Sequence, residues 1–254
     1  MRRLPAIFVG HGAPSLAIDS AKGEPLRRWG AGFTGVQSIL VVSAHWEDAP
    51  PTIGTTVRMP LVHDYYGFPL ELGDVVYPSP GAPELAARVQ ALVPAARRDN
   101  ARGLDHGVWT PLVHMFPAAD IPVLQVSLPS RLGDRGVYEL GRALAPLRDE
   151  GVLVLGSGNI THNLRALAPD GSEPAVWARD FDAWVAERLL ARDDSALVEA
   201  RVRGPLFARN HPSAEHWLPM LVTLGAAADV PGEPRFPVLG WEYGNLSRRA
   251  VELA

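Results

Sequence analysis

Short apolar runs, each bounded by Gly, Pro or polar residues, alternate with longer amphipathic segments along most of this chain. We predict strands at residues 6–9, 38–43, 123–127, 152–156 and 236–239. These runs are almost continuously apolar, which is typical of strands buried on both faces. Strands that alternate with helices predict an α/β fold, with a central mostly parallel or mixed sheet and helices on both faces.

Five segments have a helical pattern of apolar residues. They are residues 83–92, 136–148, 175–191, 195–201 and 216–227. For the last of these, Ser213 is a suitable N-cap and His216 falls in the first turn.

The 254 residues contain no internal repeat, no low-complexity tract and no clear linker. We therefore expect one domain that spans residues 1–254. Residues 48–80 interrupt the alternation with a segment rich in proline and aromatic residues, which predicts a long loop over the edge of the sheet. Long loops in compact domains are usually functional.

Composition excludes several classes of function. The chain has no cysteine, so that thiolate nucleophiles, zinc ribbons and iron–sulfur clusters are excluded, and any metal must be held by His, Asp or Glu. The net charge of −4 without a block of like charge argues against a nucleic-acid partner. No run approaches the ~20 apolar residues of a membrane span, and the first apolar run is too short for a signal peptide. We expect a cytoplasmic protein, monomeric or a small homo-oligomer.

Three histidines follow predicted strands within a few residues: His11, His45 and His162. In open α/β sheets, the ligand crevice lies beyond the carboxyl ends of the strands. One such histidine is most simply a hydrogen-bonded turn residue, but three in equivalent positions favour a shared site. A fourth, His216, lies in a similar setting of small and turn-forming residues.

Other residues could complete this site. His106, in an Asp-His-Gly turn, is an acid/base, a substrate anchor or a turn residue. The loop residues His63, Tyr65, Tyr66 and Phe68 are candidates for a pocket wall. A histidine ligand needs an anchor for its second nitrogen, and the acidic candidates for that role are Glu47, Asp48, Asp64 and Glu215. His114 lies on an apolar face and is interpreted as a core residue, whereas Ser157 is a weak candidate nucleophile.

Six motifs, in order, cover the chain from His11 to Pro219. They are FVGHGAP (8–14), VSAHW (42–46), HDYYGFP (63–69), LDHGVW (104–109), GSGNITHNLR (156–165) and PSAEHWLP (212–219). Together they resemble the class III (LigB-type) extradiol ring-cleavage dioxygenases, in the branch that includes the 4,5-DOPA dioxygenases.

The resemblance implies a non-haem divalent metal, Fe(II) for turnover with zinc as another occupant, and a catechol and O2 as substrates. His11, His45 and His216 match its metal ligands. His162 matches a histidine that acts either as an acid/base group beside the metal or as a fourth ligand. His106 matches another active-site histidine. In the wider superfamily a glutamate replaces the third histidine, which leaves Glu215 as a competitor of His216.

The resemblance also implies an open-chain semialdehyde acid as product. Trp46, Tyr65, Tyr66 and Phe68 are the expected aromatic walls of the substrate pocket, with His63 beside them. Two alternatives remain at this point: a zinc hydrolase that uses the same histidines to activate water, and a metal-binding scaffold without turnover.

Overall fold

The computed structural model describes residues 3–229 and 232–254. The strands are β1 (Ala6–Gly10), β2 (Ser38–Glu47), β3 (Thr52–Ile53), β4 (Arg97–Arg98), β5 (Val123–Leu128), β6 (Val152–Gly158), β7 (Trp241–Glu242), β8 (Leu246–Ser247) and β9 (Val251–Leu253). The helices are α1 (Ser20–Gly30), α2 (Pro83–Leu92), α3 (His106–Met115), α4 (Gly133–Leu144), α5 (Val176–Leu190), α6 (Asp194–Val198), α7 (Ala200–Arg203), α8 (Phe207–Asn210) and α9 (Leu218–Ala226). Short 3-10 helices occupy Pro14–Ile18, Leu70–Asp74, Ser130–Leu132, Ala145–Glu150 and Leu164–Ala166.

Seven of these strands form one mixed sheet in the order β4-β3-β5-β2-β6-β1-β9. The four central strands, β5, β2, β6 and β1, are parallel to one another. β9 is antiparallel to β1, and β3 is antiparallel to β5. The carboxyl ends of the parallel strands therefore lie at one edge of the sheet, where a ligand crevice is expected.

Each face of the sheet carries its own core, because successive side chains of a strand point to opposite faces. Ile7 and Val9 of β1 pack with residues of α1 and α3. Ala6 and Phe8 pack on the other face, with residues of α4, α5 and α9. The predicted α/β class, with helices on both faces of a mixed sheet, is confirmed.

Most predicted elements are present, with shifted ends. The prediction of a strand at 236–239 is wrong: Pro237 has no N–H to donate, and β9 takes the edge of the sheet beside β1. The last long helix begins at Leu218, not at His216, and the Ser213 hydroxyl bonds the carboxylate of Glu215 at 3.1 Å instead of capping the helix.

Helices α1 and α3 were not predicted from the pattern of apolar residues. Each contains residues that disfavour a helix, Gly23 and Pro25 in α1 and Gly107 and Pro111 in α3. Tertiary packing overrides this preference in α3, where eight of the ten residues are buried. Among the described residues, the helices are all too short or too polar to span a bilayer.

Candidate metal centre

Five histidine rings converge at the carboxyl ends of the parallel strands. His11 follows β1, His45 lies near the end of β2, His106 begins α3, and His162 and His216 lie in the loops after β6 and before α9. The ring centroids of His11 and His45 are 5.0 Å apart, and that of His216 lies 5.2 and 4.9 Å from them. The donor atoms of His11, His45 and His106 lie within 4.8 Å of one another, as do those of His162, Glu215 and His216.

The proton on the His11 ring can be placed by counting donors. Pro111 has no N–H, and so it leaves the Gly107 carbonyl without its helical donor. The Ser157 hydroxyl donates to that carbonyl at 2.5 Å. The hydroxyl has one proton, and this bond uses it. The oxygen of Ser157 can therefore only accept a hydrogen bond from His11 Nδ1, which lies 2.9 Å away. His11 therefore carries its proton on Nδ1 and directs the Nε2 lone pair inward.

The Nε2 atoms of His11 and His45 are 3.2 Å apart. With metal–nitrogen bonds of 2.0–2.1 Å, two neighbouring donors on one tetrahedral or octahedral ion lie roughly 2.9–3.4 Å apart. A carboxylate oxygen of Asp64 faces His45 Nδ1 at 3.6 Å. That is too long for a hydrogen bond, but the negative charge favours a proton on the nitrogen it faces, which leaves Nε2 free to bind an ion.

His216 is anchored in the same way. Its Nδ1 lies 3.0 Å from Oε1 of Glu215, so that Nε2 is the nitrogen left for an ion. The His162 ring is stacked on His216, with centroids 3.4 Å apart and planes inclined by 10°. Parallel rings direct their nitrogens side by side and not at a common point, which favours His162 as a group beside the ion.

Burial keeps these rings neutral. It lowers the pKa of His11 and of His216 well below the usual value, and neighbouring histidines lower both further. Burial, followed by the charge of His106, lowers the pKa of His45 to about 4. Burial, followed by His211, lowers that of His162 to about 3. Neutral imidazole is the form that binds a metal.

A buried carboxylate fixes the strand and the helix that carry two of the histidines. Asp105 is fully buried and accepts hydrogen bonds from Ser43 at 2.8 Å, from Gln125 and from Arg102 at 3.3 Å. Arg102 also donates to the His45 carbonyl at 3.2 Å. Asp105 thus joins β2, β5 and the start of α3, the elements that position His45 and His106.

The loop after β1 is held by a buried ion pair. Glu242 and Arg248 lie 2.9 Å apart and are almost fully buried, and Glu242 also accepts the Ala13 N–H at 2.9 Å. Gly12 has φ +64°, and a Cβ there would lie 2.6 Å from the Glu242 carboxylate. Only glycine suits both the conformation and the space, and this geometry fixes the backbone beside His11.

Aromatic side chains line one side of the histidine group. The Tyr65 ring meets His106 edge-on at 5.8 Å, and Phe68 and Trp109 lie 5.5 and 6.1 Å from Tyr65. His63 lies 5.6 Å from Trp109. Trp109 is fully buried and belongs to the core behind these residues.

Two predicted wall residues lie elsewhere. Tyr66 is 95% exposed and points into solvent. Trp46 is buried and lies on the opposite face of β2 from His45, against Gly54 and under the guanidinium of Arg102 at 5.2 Å.

Several polar residues outside this group have structural partners. His114 bonds the Leu16 carbonyl and His211 the Ile160 carbonyl, each at 2.8 Å. Of the four acidic candidates, Asp64 and Glu215 face histidine rings, Asp48 accepts the Thr52 hydroxyl at 2.8 Å, and Glu47 is exposed at the end of β2. Ser157 is buried with its proton committed to Gly107, an arrangement that suits an anchor and not a nucleophile.

These donors fit a divalent ion: the Nε2 atoms of His11 and His45 are 3.2 Å apart, and Ser157 and Glu215 hold the Nδ1 atoms of His11 and His216. Such outer partners normally accompany histidine ligands and orient them. The donor atoms of His216 are grouped most tightly with those of His162 and Glu215, and its ring lies 5.2 and 4.9 Å from those of His11 and His45. Because the structure describes no cysteine ligand and the chain contains none, borderline metals such as zinc or iron suit this set.

The chain is similar to known aromatic ring-opening dioxygenases. Residues 12–245 match the family model described as the catalytic LigB subunit of aromatic ring-opening dioxygenase. The chain is 39% identical to a 4,5-DOPA dioxygenase extradiol of Beta vulgaris, over 87% of this chain and 86% of the relative. It is 38% identical to the protein of the same name in Escherichia coli K12, over 99% and 95%.

A solved structure extends the likeness to three dimensions. The crystal structure of an uncharacterized protein from Escherichia coli K12 superposes with a TM-score of 0.83 at 34% identity, over 99% of this chain and all of the other. With a family match over most of its length, the chain belongs to the LigB family of aromatic ring-opening dioxygenases, enzymes of the metal-dependent extradiol type.

Proposed function

We propose that this protein cleaves the ring of a DOPA-like catechol with O2 and forms an open-chain semialdehyde acid. The metal would be held by His11, His45 and His216, in a single catalytic domain that spans residues 1–254. The observation that carries the proposal is the pair of Nε2 atoms 3.2 Å apart, with the proton of His11 fixed on the outer nitrogen by Ser157. Relatives that carry the name 4,5-DOPA dioxygenase extradiol support the substrate class.

We propose Fe(II) as the ion for turnover and zinc as another occupant. The three histidine nitrogens would hold the ion, and Fe(II) would supply the activation of a catechol and O2 that non-haem oxygenases perform. Glu215 is better placed as the anchor of His216 than as a ligand, since its Oε1 already accepts from His216 Nδ1 and from Ser213.

Two histidines are proposed to move protons. His162 is partly exposed and stacked on His216, and so it lies beside a substrate bound at the ion without being a ligand. His106 is held by Asp64 at Nδ1, which leaves Nε2 to accept a proton from a catechol hydroxyl. General acid–base catalysis of this kind contributes about 10²–10⁴ to a rate.

The pocket wall suits an aromatic, anionic substrate. Tyr65, Phe68 and His63 offer aromatic edges beside His106. A set of neutral ligands leaves the charge of a divalent ion uncompensated by its donors, which favours a substrate that binds as an anion. A zinc hydrolase would use the same donors, but the family match favours ring cleavage.

An oxygen-electrode experiment tests this proposal. The purified chain is loaded with Fe(II) under anaerobic conditions, then mixed with air-saturated buffer and a panel of catechols that includes DOPA. We expect O2 uptake and a yellow semialdehyde. Loss of uptake is expected in His11→Ala and His45→Ala but not in His114→Gln, which removes an imidazole outside the group and keeps a donor for the Leu16 carbonyl. No uptake with any catechol by iron-loaded protein would refute the proposal.

A further inference from the structure

One carboxylate faces two histidines of the site from the loop that also carries the aromatic wall. Oδ1 of Asp64 lies 2.7 Å from His106 Nδ1, and Oδ2 of the same residue lies 3.6 Å from His45 Nδ1. The two imidazole centroids are 3.8 Å apart, so that a single carboxylate spans both rings. We propose that Asp64 is a positioning residue that sets the tautomers of His45 and His106 together.

The argument rests on which atoms can accept. An ionised carboxylate only accepts hydrogen bonds, and so each imidazole that faces it is favoured with its proton on Nδ1. A quarter of the Asp64 side chain is exposed to solvent, and an aspartate carboxyl in such a setting is ionised at neutral pH. Both rings then direct Nε2 lone pairs inward, His45 towards the ion and His106 towards the substrate.

The position of Asp64 in the chain gives this arrangement a consequence. Its neighbours His63 and Tyr65 belong to the aromatic wall, and Tyr65 meets His106 edge-on. The backbone N–H of His106 also bonds Asp64 Oδ1, at 3.3 Å. The segment that borders the substrate pocket is thus the segment that orients one ligand and one proton acceptor. This consequence for turnover rests on the proposed function, whereas the setting of the tautomers does not.

Two substitutions separate the two contacts. Asp64→Ala removes both acceptors. Asp64→Asn keeps the size of the side chain but has one acceptor and one donor end, so that its oxygen can serve only one of the two imidazoles. Asp74→Ala is the matched control, because Asp74 is an exposed aspartate of the same loop, in the 3-10 helix Leu70–Asp74.

The experiment uses zinc-loaded full-length protein with ¹⁵N-labelled histidine. A long-range ¹H–¹⁵N spectrum reports which nitrogen of His106 carries the proton, and competition with a chelator gives the zinc affinity. For Asp64→Ala we expect zinc affinity to fall about 10–100-fold, the usual effect of losing an outer partner of a histidine ligand, and His106 to lose its uniform Nδ1–H form. Asp64→Asn should show one of these changes and Asp74→Ala neither.

The proposal is overturned if folded Asp64→Ala protein binds zinc like the wild type, or if its His106 remains wholly in the Nδ1–H form. Should Asp64→Ala fail to fold, Asp64→Asn decides alone, and the absence of both changes there overturns the proposal. Neither readout requires turnover. A protein that shows both changes and yet cleaves no catechol would therefore refute the proposed function and support the role of Asp64.

Discussion

Replacing Ser157 with alanine removes one oxygen atom that serves two buried partners. The hydroxyl donates to the Gly107 carbonyl and accepts the Nδ1–H of His11, and Ser157 has no exposed surface. Each buried group left without a partner costs about 1–3 kcal/mol. We therefore expect the free energy of unfolding of metal-free protein to fall by about 2–4 kcal/mol, since some relaxation follows. For a chain of this length, that lowers Tm by about 4–16 °C.

The same substitution should weaken metal binding through the tautomer of His11. Without an acceptor at Nδ1, the ring is free to carry its proton on Nε2, where it blocks the metal. Losing an outer partner of a histidine ligand costs about 10–100-fold in metal affinity. Zinc affinity is measured by competition with a chelator at pH 7.5, and Tm by circular dichroism.

Thr223→Val is the matched control for Ser157→Ala. The Thr223 hydroxyl is also fully buried and donates to carbonyls of Ile7 and Pro219, at 3.1 and 3.2 Å, but its partners are not histidines. It should lose stability and keep zinc affinity. If Ser157→Ala loses stability but binds zinc as Thr223→Val does, the reasoning about the His11 proton is refuted.

Three further predictions concern other parts of the molecule. His162→Ala should retain zinc within a few-fold while ring-cleavage turnover falls about 10²–10⁴-fold; loss of the metal would make His162 a ligand. Gly225→Ala should lower the unfolding free energy by about 1–3 kcal/mol in a urea titration, because the added Cβ would overlap the Tyr138 carbonyl where α9 meets α4. Gly73→Ala is the control and should be neutral in the same titration, since a Cβ at Gly73 meets open space. Burial lowers the pKa of His211 to about 4. As pH falls from about 6.5 to 4, the unfolded chain protonates at His211 before the folded protein does, and the folded protein loses stability. Between pH 7 and 5, the unfolding free energy of the wild type should fall by about 2 kcal/mol more than that of His211→Gln in denaturant unfolding.

The sheet and the positions of His11, His45 and His162 could be predicted because local pattern determines them. A run such as residues 6–9 is apolar on both sides, which indicates a central strand, and a parallel strand delivers the next residues to the carboxyl edge. The convergence of the histidines then follows from topology. By contrast, the start of α9 depends on the packing of Leu218 and not on the capping pattern at Ser213, and so its predicted N-terminus was wrong.

The anchors of the histidines could not be predicted, since they depend on contacts between distant segments. Asp48 and Asp64 are both acidic residues of the same loop, and only the path of the chain places Asp64 against His106 and Asp48 against Thr52. The sequence shows that Ser157 follows a predicted strand, and this position alone makes it a weak candidate nucleophile. Its role as an anchor depends on a carbonyl of α3. The pattern of apolar residues does not predict this helix, because it contains Gly107 and Pro111.

An imidazole ring lies between the proposed ion and each carboxylate near the site. The donors themselves are neutral, but Asp64 and Glu215 lie on the outer nitrogens of His45, His106 and His216. These carboxylates stabilise the folded site when a dication binds, because each interacts with the charge through a polarised N–H. In the proposed site they do not coordinate the ion, which would therefore keep its full attraction for the oxygens of a substrate. A carboxylate ligand in place of His216 would give up part of that attraction, which is why the anchored histidine suits the capture of an anionic catechol.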